Sequence, residues 1–185
     1  YLYYEIEIVF LFFVYLSLAL LYTKFLKFIN FIDSIVISTL FLLRLLIGGV
    51  ATNVEITIYL YTFTFFMSMF IVYLKKNSIL NKKISSDNLF RETLFKQNNK
   101  FYFQNILYFL GILVNISLVL WGASLSDNLS SNKLFSIIGF IFIFIIITFR
   151  LIKNSSNGDL EDFVLGIFHD KISLILIFIV SVLFI

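Results

Sequence analysis

Six long apolar runs, separated by short polar stretches, dominate the chain. They extend over about Ile6 to Leu21, Phe31 to Val50, Ile56 to Leu74, Asn105 to Leu125, Leu134 to Ile152 and Ile172 to Ile185. Five approach the ~20 apolar residues that an α-helix needs to cross hydrocarbon. The sixth is shorter, and the apolar stretch from Val164 to Phe168 is available to extend it. The pattern predicts an all-α, polytopic transmembrane bundle forming a single domain over residues 1–185. Between the third and fourth runs, "SSDNLFRETLFKQ" places Leu89, Phe90, Leu94 and Phe95 at helical spacing. That spacing predicts a short helix lying in the membrane interface.

The polar stretches alternate in charge. Lys24 and Lys27 follow the first run. Lys75, Lys76, Lys82, Lys83, Arg91, Lys96 and Lys100 follow the third, and Arg150, Lys153 and Lys171 surround the end of the fifth. The other connections are nearly bare, so twelve of the fourteen Lys and Arg residues fall in alternate connections, on one side of the membrane. The positive-inside rule makes those connections cytoplasmic and starts Tyr1 outside.

Composition agrees with this class. Hydrophobic residues make up 61% of the chain, against ~45–50% in soluble domains, and the mean hydropathy is +1.01. Absence of cysteine excludes disulfides and thiolate chemistry, and one histidine, His169, excludes a multi-histidine metal site. The first residue is Tyr1, close to a hydrophobic run, with no charged leader region. The expectation is a chain lacking its N-terminal part.

Arg44 interrupts the second span. A centred arginine costs ~2.5–3.5 kcal/mol to insert, so such a residue is expected to face a cavity or a partner. Asp33 lies eleven positions earlier, close to three turns, on the same helix face and about 16 Å away along the axis. Ser34 and Ser38 lie near that face. The stripe reads as a polar pocket open to the cytoplasm, with a guanidinium suited to phosphate. Tyr22, Lys24, Lys27, Lys75, Lys76 and Arg91 would ring its mouth and attract a polyanion such as a diphosphate. Gly48 and Gly49 allow tight packing or a helix break there. In the last connection, Asp159, Glu161, Asp162 and Asp170 are carboxylates that could hold Mg²⁺.

These residues resemble a family. "YTKFLK" from Tyr22 to Lys27, then Asp33, then "LRLLIGGVAT" from Leu43 to Thr52, is similar to the fourth-to-fifth-helix region of UbiA-type intramembrane prenyltransferases. Within that superfamily the pattern resembles the decaprenyl-phosphate phosphoribosyltransferase-like branch. "YLKK", "RETL" and "EDFVLGIFHDK" resemble its later motifs. The family has nine helices, of which these would be the last six.

The resemblance implies a Mg²⁺-dependent transfer of a phosphoribosyl group from phosphoribosyl diphosphate to a polyprenyl phosphate. Lys27, Arg44, Lys75, Lys76 and Arg91 would bind phosphate, and Tyr22 and Asp33 would line the pocket. The main metal site would precede Tyr1, with Asp162 and Asp170 as further candidates, so the chain alone is expected to be inactive. It also implies a bacterial plasma membrane, a site facing the cytoplasm and a role in the cell envelope. Ile79, Gln97 and Phe163 replace an acid, a tyrosine and a proline of the family pattern.

Three other readings stand beside this one. A prenyltransferase of the same fold would move a prenyl group to an aromatic acceptor, but "YLKKNSIL" lacks the second Asp-rich motif of those enzymes. A transporter would use Arg44 and Asp33 as gates, but no inverted repeat is present. A non-catalytic remnant of the family is the third.

Overall fold

The computed structural model describes residues 2–81, 100–126, 131–160 and 162–183. Of these, 91% are helical, and no strand occurs among them. The helices are α1 (Leu2–Lys24), α2 (Asn30–Thr52), α3 (Ile58–Asn81), α4 (Lys100–Ser126), α5 (Ser131–Asn157), α6 (Phe163–His169) and α7 (Lys171–Leu183). The fold is an all-α membrane type. Five helices are long and apolar enough to cross a bilayer, over Ile6–Lys24, Phe31–Thr52, Ile58–Asn81, Phe103–Ser124 and Leu134–Asn157. Helices suit that setting because each satisfies its own backbone polar groups where water is absent. Large side chains such as Phe10, Phe13, Phe142 and Phe149 stand exposed along them, as lipid contact requires. The interfacial helix expected around Arg91 lies outside the described residues.

Contacts divide the chain into two compact units, Tyr1–Met69 and Phe70–Ile185. In the first, α1 and α2 form an antiparallel hairpin through a single 3-10 turn, Leu26–Phe28. The Phe25 and Ile29 N–H groups bond back to Leu21 and Leu26, and Asp33 N–H bonds to Ile29. α2 ends at Asn53, whose left-handed backbone (φ 55°) lets its N–H reach the carbonyls of Gly49 and Val50. Asparagine is among the few L-residues that enter this region readily.

In the second unit the end of α3 packs with α4 and α5, and α7 packs on α5. Phe70, Leu74, Leu107, Val114, Leu151 and Ile152 are buried there. Gly111 lets α3, α4 and α5 come close: a Cβ on it would lie 3.2 Å from Ile152 and 3.5 Å from Phe70. Between lipid-solvated helices such packing, with interhelical hydrogen bonds, supplies the association energy.

Three differences from the hydropathy reading bear on the polar residues. α3 continues to Asn81 instead of stopping near Leu74, because Asn77 and Ser78 are buried within the second unit and prolong the helix. Lys75 and Lys76 are therefore helical residues. α5 continues past Ile152 to Asn157 for a similar reason, with Ser155 fully buried. The sixth run is not one span: α6 and α7 are separate helices that break at Asp170, and α7 has 13 residues.

At Gly166, α6 folds back closely on the backbone that precedes it. A Cβ there would sit 2.6 Å from the Asp159 carbonyl oxygen and 3.3 Å from the Leu160 Cα. Gly166→Ala should destabilise the second unit by about 1–3 kcal/mol through overpacking. Gly48→Ala, which meets nothing within 4 Å, should be neutral or stabilising by up to about 1 kcal/mol. Denaturation of both variants in detergent micelles checks the contrast; equal midpoints would contradict it.

Candidate functional site

Two polar centres are built, one in each unit. In the first, a pair of phenols on α1 meets a pair of charges on α2. Tyr22 donates its hydroxyl proton to Asp33 Oδ1 at 2.9 Å across the turn. One heptad earlier, the Tyr15 oxygen accepts from Arg44 Nη2 at 2.6 Å and from Nε at 3.1 Å. Seven residues separate the phenols and eleven separate the charges, so the rungs differ by about 6 Å of rise. Arg44 spans this difference because helical side chains lean toward their own N-terminus. Its guanidinium accordingly leans toward Phe41, 5.4 Å from that ring and 5.3 Å from the Tyr15 ring.

Asp33, Ser34 and Ser38 are buried, and Ser38 donates to the Ser34 carbonyl at 2.9 Å. Arg44 remains exposed. Tyr15 takes the side edge of the guanidinium, formed by Nε and Nη2. Among the described residues no hydrogen bond engages the opposite edge, with both Nη1 protons and the second Nη2 proton. Tyr15 is neutral, and among the described residues no carboxylate pairs with Arg44. Lys24 and Lys27 are exposed at the turn, with Lys27 Nζ 5.0 Å from the Phe28 ring.

A cleft of about 250 Å³ in the same unit lies elsewhere, at the end of the hairpin away from the turn. Leu46, Val50 and Ile56 line it together with Glu7 and Glu55, and none of the predicted site residues does.

In the second unit the predicted lysines diverge. Lys75 is exposed, whereas Lys76 is buried, with Nζ 5.5 Å from the Tyr73 ring. Next to it Asn77 donates to Ser155 at 3.0 Å, Ser155 donates to the Leu74 carbonyl at 2.8 Å, and Ser78 accepts from the Leu160 N–H at 2.9 Å. This seam ties α3 to the end of α5. Farther along α5, Arg150 grips Asp170 through Nε and Nη2 at 2.6 and 2.5 Å. Asn154 at 2.9 Å, Ser173 at 2.6 Å and the Ile172 N–H at 3.3 Å donate to the same carboxylate.

Those bonds bear on the metal candidates. Five donors converge on Asp170, about as many as a carboxylate's four lone-pair sites accept. Asp162 is exposed at the other end of α6, about 12 Å away along the helix. Among the described residues no group of three potential ligands comes together. Asp162 and Asp170 do not meet at one site, and Asp170 is engaged by Arg150. Arg91 lies outside the described residues. The hydropathy pattern did not single out Tyr15, Asn77, Ser155 or the partner of Arg150. The heptad spacing of Tyr15 and Tyr22 on a lipid-facing helix was the available signal for the first.

No protein-family model matches the chain, and a search of curated proteins finds no similar one.

The Arg150 guanidinium, with Ser173 and Asn154, holds the Asp170 carboxyl well below the usual carboxylate range. A depressed folded-state pKa stabilises the fold fully above the unfolded value of about 3.9. That contribution should fade as pH falls below this value toward the folded one. Asp170→Asn should cost about 2–4 kcal/mol at neutral pH, since it leaves Arg150 unneutralised. It should also flatten the acid limb of the unfolding profile between roughly pH 4 and pH 2. Unfolding followed by circular dichroism in micelles over this range checks both.

Proposed function

We propose that the chain belongs to a membrane-embedded transferase of the UbiA type, acting on phosphate-bearing substrates at a site that includes Arg44. The observation that carries this reading is the state of Arg44: an exposed guanidinium within a membrane span, held on one edge by a neutral phenol and open on the other. A cation so placed calls for an anion, and the planar open edge matches two phosphate oxygens. The contact between Tyr22 and Asp33, both assigned to the pocket by the resemblance, supports the same reading.

The substrates proposed are phosphoribosyl diphosphate and a polyprenyl phosphate. A phosphate oxygen of the lipid would attack the anomeric carbon of the ribose. The carbon–oxygen bond to diphosphate would break, and the diphosphate would leave with the electron pair. Arg44 would stabilise the charge that develops on that leaving group. Lys27, at the turn, would draw the polyanion toward the hairpin. The site would face the cytoplasm if the basic connections lie inside, as their charge predicts. The part proposed for this chain is phosphate binding.

Binding of radiolabelled phosphoribosyl diphosphate to the chain in lipid nanodiscs tests the reading. Arg44→Leu should insert at least as well as the parent but bind the label about 10- to 100-fold more weakly, the loss of one or two charge-assisted hydrogen bonds. Unchanged binding would remove Arg44 from the site. Preferential competition by a prenyl diphosphate would favour the prenyl-transfer chemistry. Uptake into vesicles without conversion would favour transport.

A further inference from the structure

We propose that Tyr15 is the positioning residue for Arg44, fixing the guanidinium so that its outer edge is presented to a phosphate or diphosphate anion. This rests on the reading of Arg44 as a phosphate-binding group. The argument starts from reach. An arginine side chain has four rotatable bonds and can sweep several ångströms, whereas bidentate recognition requires one orientation. Tyr15 accepts both N–H groups of the side edge, Nε at 3.1 Å and Nη2 at 2.6 Å. Two bonds to one atom hold that edge of the guanidinium against the phenol oxygen. The Tyr15 and Phe41 rings flank the group at 5.3 and 5.4 Å and limit its remaining freedom.

A carboxylate in place of Tyr15 would hold the side chain as well but would neutralise it. The second unit shows that alternative. There Arg150 uses the same two nitrogens against Asp170, and the pair is a structural clasp with its charge spent internally. A phenol orients the guanidinium and leaves the positive charge for a ligand. The choice of a neutral acceptor therefore distinguishes an arginine prepared to bind from one already paired.

Tyr15→Phe keeps the ring and its contact with the cation and removes only the acceptor oxygen. Inorganic diphosphate is the probe, titrated into the full chain in nanodiscs by calorimetry. The nitrogen-15 resonance of Arg44 Nε, assigned by its loss in Arg44→Leu, reports side-chain order. The inference expects Tyr15→Phe to weaken diphosphate binding about tenfold, the size of one charge-assisted hydrogen bond. It expects the Nε resonance to broaden or shift without ligand, and Arg44→Leu/Tyr15→Phe to bind no more weakly than Arg44→Leu alone. If Arg44→Leu loses binding but Tyr15→Phe binds like the parent with an unchanged resonance, the inference is overturned and the phosphate reading stands. If Arg44→Leu binds like the parent, both fall.

Discussion

A charge within a hydrocarbon slab has no water to solvate it, so its partner must be supplied by the protein at the same depth. That constraint organises what is distinctive in this chain. Apolar helix faces can slide and rotate against lipid at little cost, because lipid tails solvate leucine and phenylalanine as well as a neighbouring helix does. A buried aspartate or an intramembrane arginine cannot. Asp33 and Arg44 therefore fix how α2 lies along α1: one rung at the turn through Tyr22, and a second deeper through Tyr15. The two rungs set both the rotation and the register of the hairpin, which apolar contacts alone would leave loosely specified.

The second unit meets the same constraint with different groups. Asn77 donates to Ser155, Ser155 donates to the Leu74 carbonyl and Ser78 accepts from the Leu160 N–H, joining α3 to α5 and the residues just after it. Asn115 bonds across to Thr148 at 3.0 Å between α4 and α5. Small hydroxyl and amide side chains let the helices approach closely and satisfy each other, and each bond adds about 0.6–2 kcal/mol in such a setting. The clasp of Arg150 on Asp170 closes this unit. It also explains why the last apolar stretch is two helices: the carboxylate at the break is held from α5 and from the first turn of α7 at once.

The two arginines differ in their immediate neighbours. Both present the same edge to their partner. Arg150 meets a carboxylate that accepts three further bonds, so that carboxylate has little capacity left and the charge of the arginine is balanced within the protein. Arg44 meets a neutral oxygen and keeps its charge and one full edge. Placement of a titratable residue in a span is therefore a weaker pointer to function than the chemistry of its immediate neighbour.

Class, number of long helices and alternation of charge were legible in the sequence, because hydropathy is summed over about twenty residues and tolerates local error. Asp33 and Arg44 were legible too, since a polar residue in an apolar run is conspicuous. Their placement on one face followed from helical periodicity alone. Helix ends were not legible: α3 and α5 outrun their apolar segments because polar residues continue a helix when partners bury them, and those partners lie about 80 positions away. The divergence of Lys75 and Lys76 follows from the same extension. Nor could the sequence reveal that Arg150 grips Asp170, or that Tyr15 holds Arg44. Local composition determines which segments enter the membrane. Which polar side chain meets which is decided only when the helices pack, because a hydrogen bond depends on ångström distances between residues that the chain order keeps apart.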